Sequence, residues 1–343
     1  MLSVYTLDEA EKWDTIVRSF RDYDVYWLSS YVKAYQIHGD GEPLLFFYDD
    51  VSTRGINVVM KRDIAKAPGF HGVIEEEAYF DFSTPYGYGG WLIEGEKVED
   101  LFRTYFSWLE DNGIICEVVR FHPLLNNHEA CRDFYEIVCL GEVVHMDLSS
   151  PEEIWKNLTS ENRNRIRKAI NNNVHVYHDQ SPDVYEQFRK IYNTTMDRNH
   201  AADYYYFEPS FYQSVSQDLA QNAQIFWAEK DGEFIAAAMM IYANDRLSFH
   251  LGGSLEEYNN LAPNNLIMVT AALWGAENGY RTLLLGGGVG SRGDTLLRYK
   301  KTFYRGRLNH FYLGKKIICP DKYNYLTSLR TQTDSRFFPL YRV

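Results

Sequence analysis

The feature that most constrains this chain is a repetition. "WLEDNG" (Trp108 to Gly113) and "WGAENG" (Trp274 to Gly279) lie 166 residues apart, close to half of the 343-residue length. Each ends an amphipathic stretch, "EKVEDLFRTYFSWLEDNG" and "PNNLIMVTAALWGAENG", with Asn-Gly where a helix C-cap belongs. Each is followed by a strand-like run, "IICEVVRF" and "YRTLLLGG". Upstream, "YGYGG" (Tyr86 to Gly90) and "FHLGG" (Phe249 to Gly253) both end β-like segments. Earlier still lie two hairpin-like pairs, "LLFFYDDVSTRGINVVM" and "IFWAEKDGEFIAAAMMIY", the second turning at Asp231-Gly232. The unit reads helix, β-meander, helix, strand, twice over, and agreement in order across four elements predicts two copies of one α/β domain with a mixed sheet.

The length fits two domains of about 170 residues, each able to bury its own core. Between the copies, Ser150-Pro151-Glu152-Glu153 has the pattern of a capping box with Pro in the first turn, opening a helix that sits between two strands. This predicts a first domain over 1–145 and a second over 146–319 that carries the active site, with the tail 320–343 packing on the first domain. The 27 Tyr and 20 Phe exclude a disordered chain and leave open where so many aromatics sit.

The net charge of -12 argues against a general DNA-binding surface, since phosphate neutralisation needs clustered bases. That charge is unevenly spread: residues 1–145 carry 26 acids and 12 bases, the remainder 21 and 23. An anionic ligand is therefore expected in the second half. No basic-then-apolar leader and no run of about 18 apolar residues is present, which predicts a cytoplasmic protein without a transmembrane segment. Cys116, Cys131, Cys139 and Cys319 have neither C-x-x-C spacing nor His partners at zinc-ligand intervals, so no metal is expected and the thiols read as reduced and structural.

Gly288-Val289-Gly290-Ser291-Arg292-Gly293 matches the dinucleotide fingerprint G-x-G-x-x-G literally. The match lacks its context, because after Asp294 the next acid is Asp321 and too little chain remains for a cofactor-holding sheet. The P-loop fails too, with Asp294 and Thr295 where Lys and Ser/Thr are required. The neighbouring segment is more informative. "LLRYKKTFYRGR" holds Arg298, Lys300, Lys301, Arg305 and Arg307 without an acid, just after Gly287 and Gly288, where backbone can approach a ligand closely.

"TSENRNRIRKAINNNVHV", "TTMDRNH", "FHLGGS", "WGAENGY" and "LLLGGG…LLRYKKTF", together with "DFSTPYGYGGWLI" in the first half, resemble the Fem-type (FemABX) peptidoglycan-bridge aminoacyltransferases and their acyltransferase superfamily. The strongest of these, the glycine-ended strand followed by "RYKKTF", resembles the family's F-K-x-x-F. The resemblance implies two tandem GNAT-like domains and transfer of an acyl group from aminoacyl-tRNA to an amine on a lipid- or nucleotide-linked muropeptide, with no bound cofactor. Such chemistry needs an oriented amine and a cationic or hydrogen-bonding group where oxyanion charge develops.

By this resemblance Lys300 is that group, with Lys301 as the alternative. Arg198 matches a position that contacts acceptor phosphate; the other reading is an ion pair with Asp197 or Asp203. His250 falls where the family often places Tyr and offers an acceptor or relay for the amine proton. Tyr86 and Tyr88 are expected to line a cleft, and Tyr206, within "YYYF", to form a stacking wall for sugar or base. Arg163 and Arg167, four apart on one helix face, are expected to meet a tRNA acceptor end or a diphosphate, or else to be a polar face.

Two departures sharpen this. "GGSLEEYNNLAPNN" lacks the R/Q-x-x-G-x-G/A signature that presents backbone N–H groups to CoA pyrophosphate, and it adds Glu256 and Glu257, which favours a donor other than acyl-CoA. The first-domain Lys of some relatives has no single counterpart, Lys33 and Gln36 both being placed for it. An acyl-CoA-dependent N-acetyltransferase and a non-catalytic ligand-binding double domain remain the alternatives.

Overall fold

The computed structural model describes residues 1–288, 293–330 and 337–342. In chain order its elements are β1 (Leu2–Tyr5), α1 (Ala10–Arg18), α2 (Ser29–His38), β2 (Glu42–Asp49), β3 (Thr53–Asp63), β4 (Phe80–Ser83), β5 (Leu92–Gly95), α3 (Glu99–Asp111) and β6 (Ile114–Arg120). Next come β7 (Glu136–Asp147), α4 (Pro151–Asn157), α5 (Ser160–Asn171), β8 (His175–Asp179), α6 (Pro182–Arg198), α7 (Pro209–Gln217), β9 (Ala223–Lys230), β10 (Glu233–Ala243) and β11 (Arg246–Ser254). The last are α8 (Pro263–Glu277), β12 (Thr282–Gly286), α9 (Thr295–Lys301), β13 (Asn309–Ile317) and α10 (Pro320–Ser328).

The repeated string is a helix stop, built identically twice. α3 ends at Asn112 with Gly113 at φ +69°, and α8 ends at Asn278 with Gly279 at φ +83°, the left-handed backbone that glycine adopts without strain. In both, the Asn amide nitrogen donates to the carbonyl of the Trp four residues earlier, Trp108 or Trp274, at 2.8 Å. Trp supplies the carbonyl, Asn the donor and Gly the reversal.

The chain divides into unit 1 (Met1–Leu140 and Phe311–Val343) and unit 2 (Gly141–His310). Unit 1 has the strand order β1-β2-β3-β4-β6-β13, with β5 beside β3; unit 2 has β8-β9-β10-β11-β12-β7. In each, one pair is parallel, β4/β6 and β11/β12, and the rest are antiparallel. Residues 311–319, expected in the second domain, belong to unit 1, because Leu313–Ile317 of β13 pair with Arg120–Cys116 of β6. β7 crosses the boundary between the units, and its unit 2 residues Val144–Asp147 supply that unit's last partner, against β12.

Local expectations meet two revisions. "FHLGG" lies inside β11, whereas "YGYGG" lies in the turn after β4. The single helix expected after Ser150 is two helices, since Thr159 Oγ1 accepts from Asn162 N at 3.2 Å and starts α5 afresh. Ser150 Oγ caps α4 by accepting from Glu153 N at 3.2 Å, but the Glu153 carboxylate turns to Lys156 Nζ at 2.7 Å and leaves the capping box half made.

Unit 1 holds 28 of the 47 Tyr and Phe residues and uses them in its core. α3 buries Leu101, Phe102, Tyr105 and Leu109 on one face, against Phe46, Phe82, Trp91 and Phe121. In unit 2, α8 is apolar nearly all round, with Leu266 to Val269, Ala271 and Ala272 buried among alanines and methionines of β10. The C-terminal segment is pinned to unit 1 by charge: fully buried Asp81 accepts from Arg62 Nε at 2.8 Å, Arg342 Nε at 2.6 Å and Tyr341 OH at 2.8 Å. The paired guanidinium groups hold its carboxyl below the ordinary range against the opposing effect of burial.

Candidate active site

β11 and β12 run parallel and pair only over Arg246–Ser248 and Thr282–Leu284, although β11 continues to Ser254. Each carries an extra residue just beyond. His250 is bulged on β11, since Met239 and Met240 pair with Leu251 and Phe249. Leu285 is bulged on β12, since His145 and Val144 pair with Leu284 and Gly286. Bulges re-aim side chains and end pairing, and two at one level leave the strand ends free to diverge around a site.

Lys300 occupies this level. Asp294 caps α9 by accepting from Leu297 N at 2.8 Å, and this seven-residue helix delivers Lys300 with only 8% of its surface exposed. Its Nζ donates to Gly287 O at 2.7 Å and lies 5.9 Å from the centre of the Phe249 ring. A Cβ at Gly287 would stand 3.0 Å from Glu142 O and crowd the backbone of β7. Burial lowers the Lys300 pKa to about 8, with the Asp294 carboxylate acting in the opposite direction. Among the described residues the ammonium group makes one hydrogen bond, leaving donors for a substrate oxygen.

Protein atoms crowd the His250 ring, although the residue retains some accessible surface, and that desolvation pulls its pKa down to about 3. So weak a base does not accept an amine proton near neutral pH; His250 is instead a neutral imidazole dipole. Lys301 turns away to Glu142 Oε2 at 2.6 Å, a half-exposed pair. Gly288 is half-buried beside Gly287, whereas Val289 to Arg292, the middle of the fingerprint match, lie outside the described residues.

The remaining candidates of unit 2 sort into three places. Arg198, at the end of α6, donates to Ser254 O at 2.9 Å, and Thr195 Oγ1 accepts from Ser254 N at 2.9 Å, so α6 is tied to the end of β11. The glycine of "FHLGGS" serves this packing, because a Cβ at Gly253 would stand 2.7 Å from Ile191 O. Among the described residues Arg198 forms no ion pair; Asp197 accepts instead from Tyr206 OH at 2.9 Å. Arg163 is structural, donating to Leu158 O at 2.7 Å and Trp155 O at 3.2 Å where α4 ends, while exposed Arg167 meets Asn164 Oδ1 at 3.2 Å. The two arginines expected to act together do not.

At the head of α8, Glu256–Leu261 form a 3-10 turn, Ala262 sits at φ +58°, and Pro263 removes the next N–H. Ala262 N is already bonded to Asn259 O at 3.1 Å and Asn265 N to Ala262 O at 3.1 Å. Few amides are left to cradle an anion, and exposed Glu256 and Glu257 oppose one.

Unit 1 closes the corresponding place. Past Ser83↔Val118, Thr84 N donates to Val118 O at 3.1 Å, Arg120 N to Thr84 Oγ1 at 3.1 Å and Gly89 N to Arg120 O at 2.8 Å. The Tyr86 ring stacks on Tyr35 at 5.5 Å, and Tyr88 meets Tyr26, His122 and Phe311 edge-on. A Cβ at Gly87, whose φ is +93°, would stand 2.6 Å from the Tyr26 ring, so glycine lets the turn lie against it. Tyr86 and Tyr88 are thus packed into an aromatic nest of unit 1, and Lys33 and Gln36 lie on the exposed side of α2.

Phe249 and the Gly287 carbonyl were not singled out for the partnership they form with Lys300; nothing in sequence spacing reveals a bulge. Among the described residues no group of three or more His, Cys, Asp or Glu is placed to hold a metal, and no helix is long and apolar enough to cross a membrane.

The family model described as "Acetyltransferase (GNAT) domain" matches residues 160–301. No curated protein matches the chain. Among solved structures, FemX aligns with a TM-score of 0.70 at 12% identity, covering 95% of this chain and 99% of that one. L-PGS from Bacillus licheniformis aligns at 0.58 and 14%, covering 89% and 91%. A C-terminal domain assigned to lysylphosphatidylglycerol synthetase from Agrobacterium fabrum aligns at 0.56 and 14%, covering 90% and 91%. Residues 160–301, the stretch from α5 to Lys300 and Lys301 of α9, thus match an acetyltransferase (GNAT) domain, within an α/β chain that has the fold of FemX.

Proposed function

We propose that this chain moves an aminoacyl group from the ester of an aminoacyl-tRNA to an amine of a peptidoglycan or other cell-envelope precursor. The observation that carries the reading is Lys300: a buried amine of pKa about 8, hydrogen-bonded to Gly287 O where β11 and β12 cease to pair. The acceptor nitrogen attacks the ester carbonyl, a C–N bond forms, and the charge gathering on oxygen is met by the Lys300 ammonium. Collapse breaks the C–O bond; the departing alkoxide takes a proton that Lys300 is placed to give, and the amine proton leaves to solvent. His250, uncharged, adds a dipole without competing for that proton. Arg198, in no ion pair among the described residues, supplies the phosphate-binding guanidinium.

The poor anion cradle at the head of α8 supports a donor without a CoA pyrophosphate. The family match to acetyltransferase domains favours a second reading, N-acetyl transfer from acetyl-CoA. A thermal-shift comparison separates them, because a ligand that binds only the folded state raises Tm with concentration. A UDP-linked muropeptide is expected to raise Tm in the wild type and not in Arg198→Ala. A shift with acetyl-CoA alone overturns the aminoacyl reading in favour of the second.

A further inference from the structure

We propose that Asn162, Asn265 and Thr302 form a buried latch that positions Lys300, fixing the rotation of α9 against α5 and α8. The inference rests on the reading of Lys300 as the reacting ammonium. Asn265 Nδ2, on α8, donates to Asn162 Oδ1 at 2.9 Å, and Asn162 Nδ2, on α5, donates to Thr302 Oγ1 at 3.0 Å. Thr302, the residue after α9, donates in turn to Tyr299 O at 2.6 Å, and its own carbonyl accepts from Thr159 N at 2.9 Å. Asn162 is fully buried and Asn265 nearly so, among Ile166, Leu266, Leu297 and Phe303.

Apolar side chains would fill that space without the cost of desolvating two amides. What they would not supply is direction. α9 has seven residues, too short to hold an orientation by itself, and buries only Leu297 and Lys300. One residue of slip turns an α-helix by about 100° and carries Lys300 off Gly287 O. A directional bond two residues beyond Lys300, tied across two helices, removes that freedom. The charge acting on Lys300 is Asp294, from its own element; β11 presents Phe249 and neutral His250, and Glu142 of β7 is taken by Lys301.

The test reads Lys300 directly in the full chain: its labelling by trace acetic anhydride is followed by peptide mass spectrometry as a function of pH. Wild-type labelling is expected to turn on near the lowered pKa of about 8. In Asn162→Ala and Thr302→Val the inflection is expected to rise by about one pH unit or more as water reaches the amine, with kcat reduced and KM little changed. Thr302→Ser is expected to restore the wild-type inflection. Ile235→Val, which trims the same core elsewhere, is expected to lower Tm without moving it. An unmoved inflection in folded Asn162→Ala and Thr302→Val overturns the latch, as does an equal shift in Ile235→Val. Should Asn162→Ala not fold, Thr302→Val, which exchanges one hydroxyl for a methyl group, decides. If Lys300→Met retains full transfer, the reading of Lys300 fails while the labelling still decides the latch.

Discussion

Units 1 and 2 share a strand order and a helix stop, yet differ most where the parallel pair ends. In unit 1 the backbone past β4 is stitched to β6 through Thr84, Gly89 and Arg120, and aromatic rings fill the turn. In unit 2 the pairing halts at Ser248↔Leu284, both strands bulge, and a lysine is buried there at a cost in stability. At that level unit 1 packs rings around the buried Asp24–His122 pair, and unit 2 buries a lysine whose ammonium is bonded to one backbone carbonyl among the described residues. A duplicated scaffold thus keeps its topology while one copy buries the lysine to which the proposed transfer is assigned.

The largest expected effect is on Lys300. Lys300→Met is predicted to lower the transfer rate by about 10²–10³-fold, the usual loss when an oxyanion donor is removed. The same variant should be more stable than wild type at pH 7. Because the folded pKa of about 8 lies below the ordinary 10.5, the unfolded chain holds the proton more tightly. The penalty is complete below pH 8 and fades as pH rises towards 10.5 and beyond. Urea midpoints of the two proteins should therefore differ at pH 7 and converge above pH 10.5.

In unit 1 the stakes are structural. Asp81→Asn leaves Arg62 and Arg342 facing a neutral amide in a buried site and is predicted to cost about 3–5 kcal/mol in denaturant titration. A smaller effect attaches to Glu117, fully buried on β6 and accepting from Asn57 Nδ2 at 3.1 Å, Tyr105 OH at 3.0 Å and Tyr135 OH at 2.7 Å. Burial raises its pKa above the ordinary carboxyl value. The contribution is therefore full below the unfolded pKa and lost as pH rises through the folded one, so Glu117→Gln should flatten that pH dependence. The smallest change is expected from Tyr88→Phe, within about 0.5 kcal/mol of wild type by thermal unfolding, since ring packing survives the loss of the hydroxyl. A large loss of transfer in Tyr88→Phe would instead give unit 1 a chemical role and erase the contrast between the units.

The α/β plan was legible because its signals are local: Asn-Gly stops, a hairpin turn at Asp231-Gly232 with φ of +52° and +82°, and strand-like apolar runs. The placing of β13 beside β6 was not, since their pairing joins residues nearly 200 positions apart and leaves no mark in either segment. At the site, Lys300 stood out by its motif, but its burial and its bond to Gly287 depend on bulges that have no composition of their own. Arg163 and Arg167 misled because helical spacing fixes a face and says nothing of a helix end lying beneath it. Asn162 and Asn265 lie within Asn-rich strings that carry no mark of a core position; only burial distinguishes them.

The most direct test is a single-turnover transfer of labelled amino acid from aminoacyl-tRNA to UDP-linked muropeptide, run in parallel with wild type, Lys300→Met and Lys301→Met. Product is expected from wild type and Lys301→Met, and a rate lower by at least about 10²-fold from Lys300→Met. Equal rates from wild type and Lys300→Met would contradict the role given to Lys300.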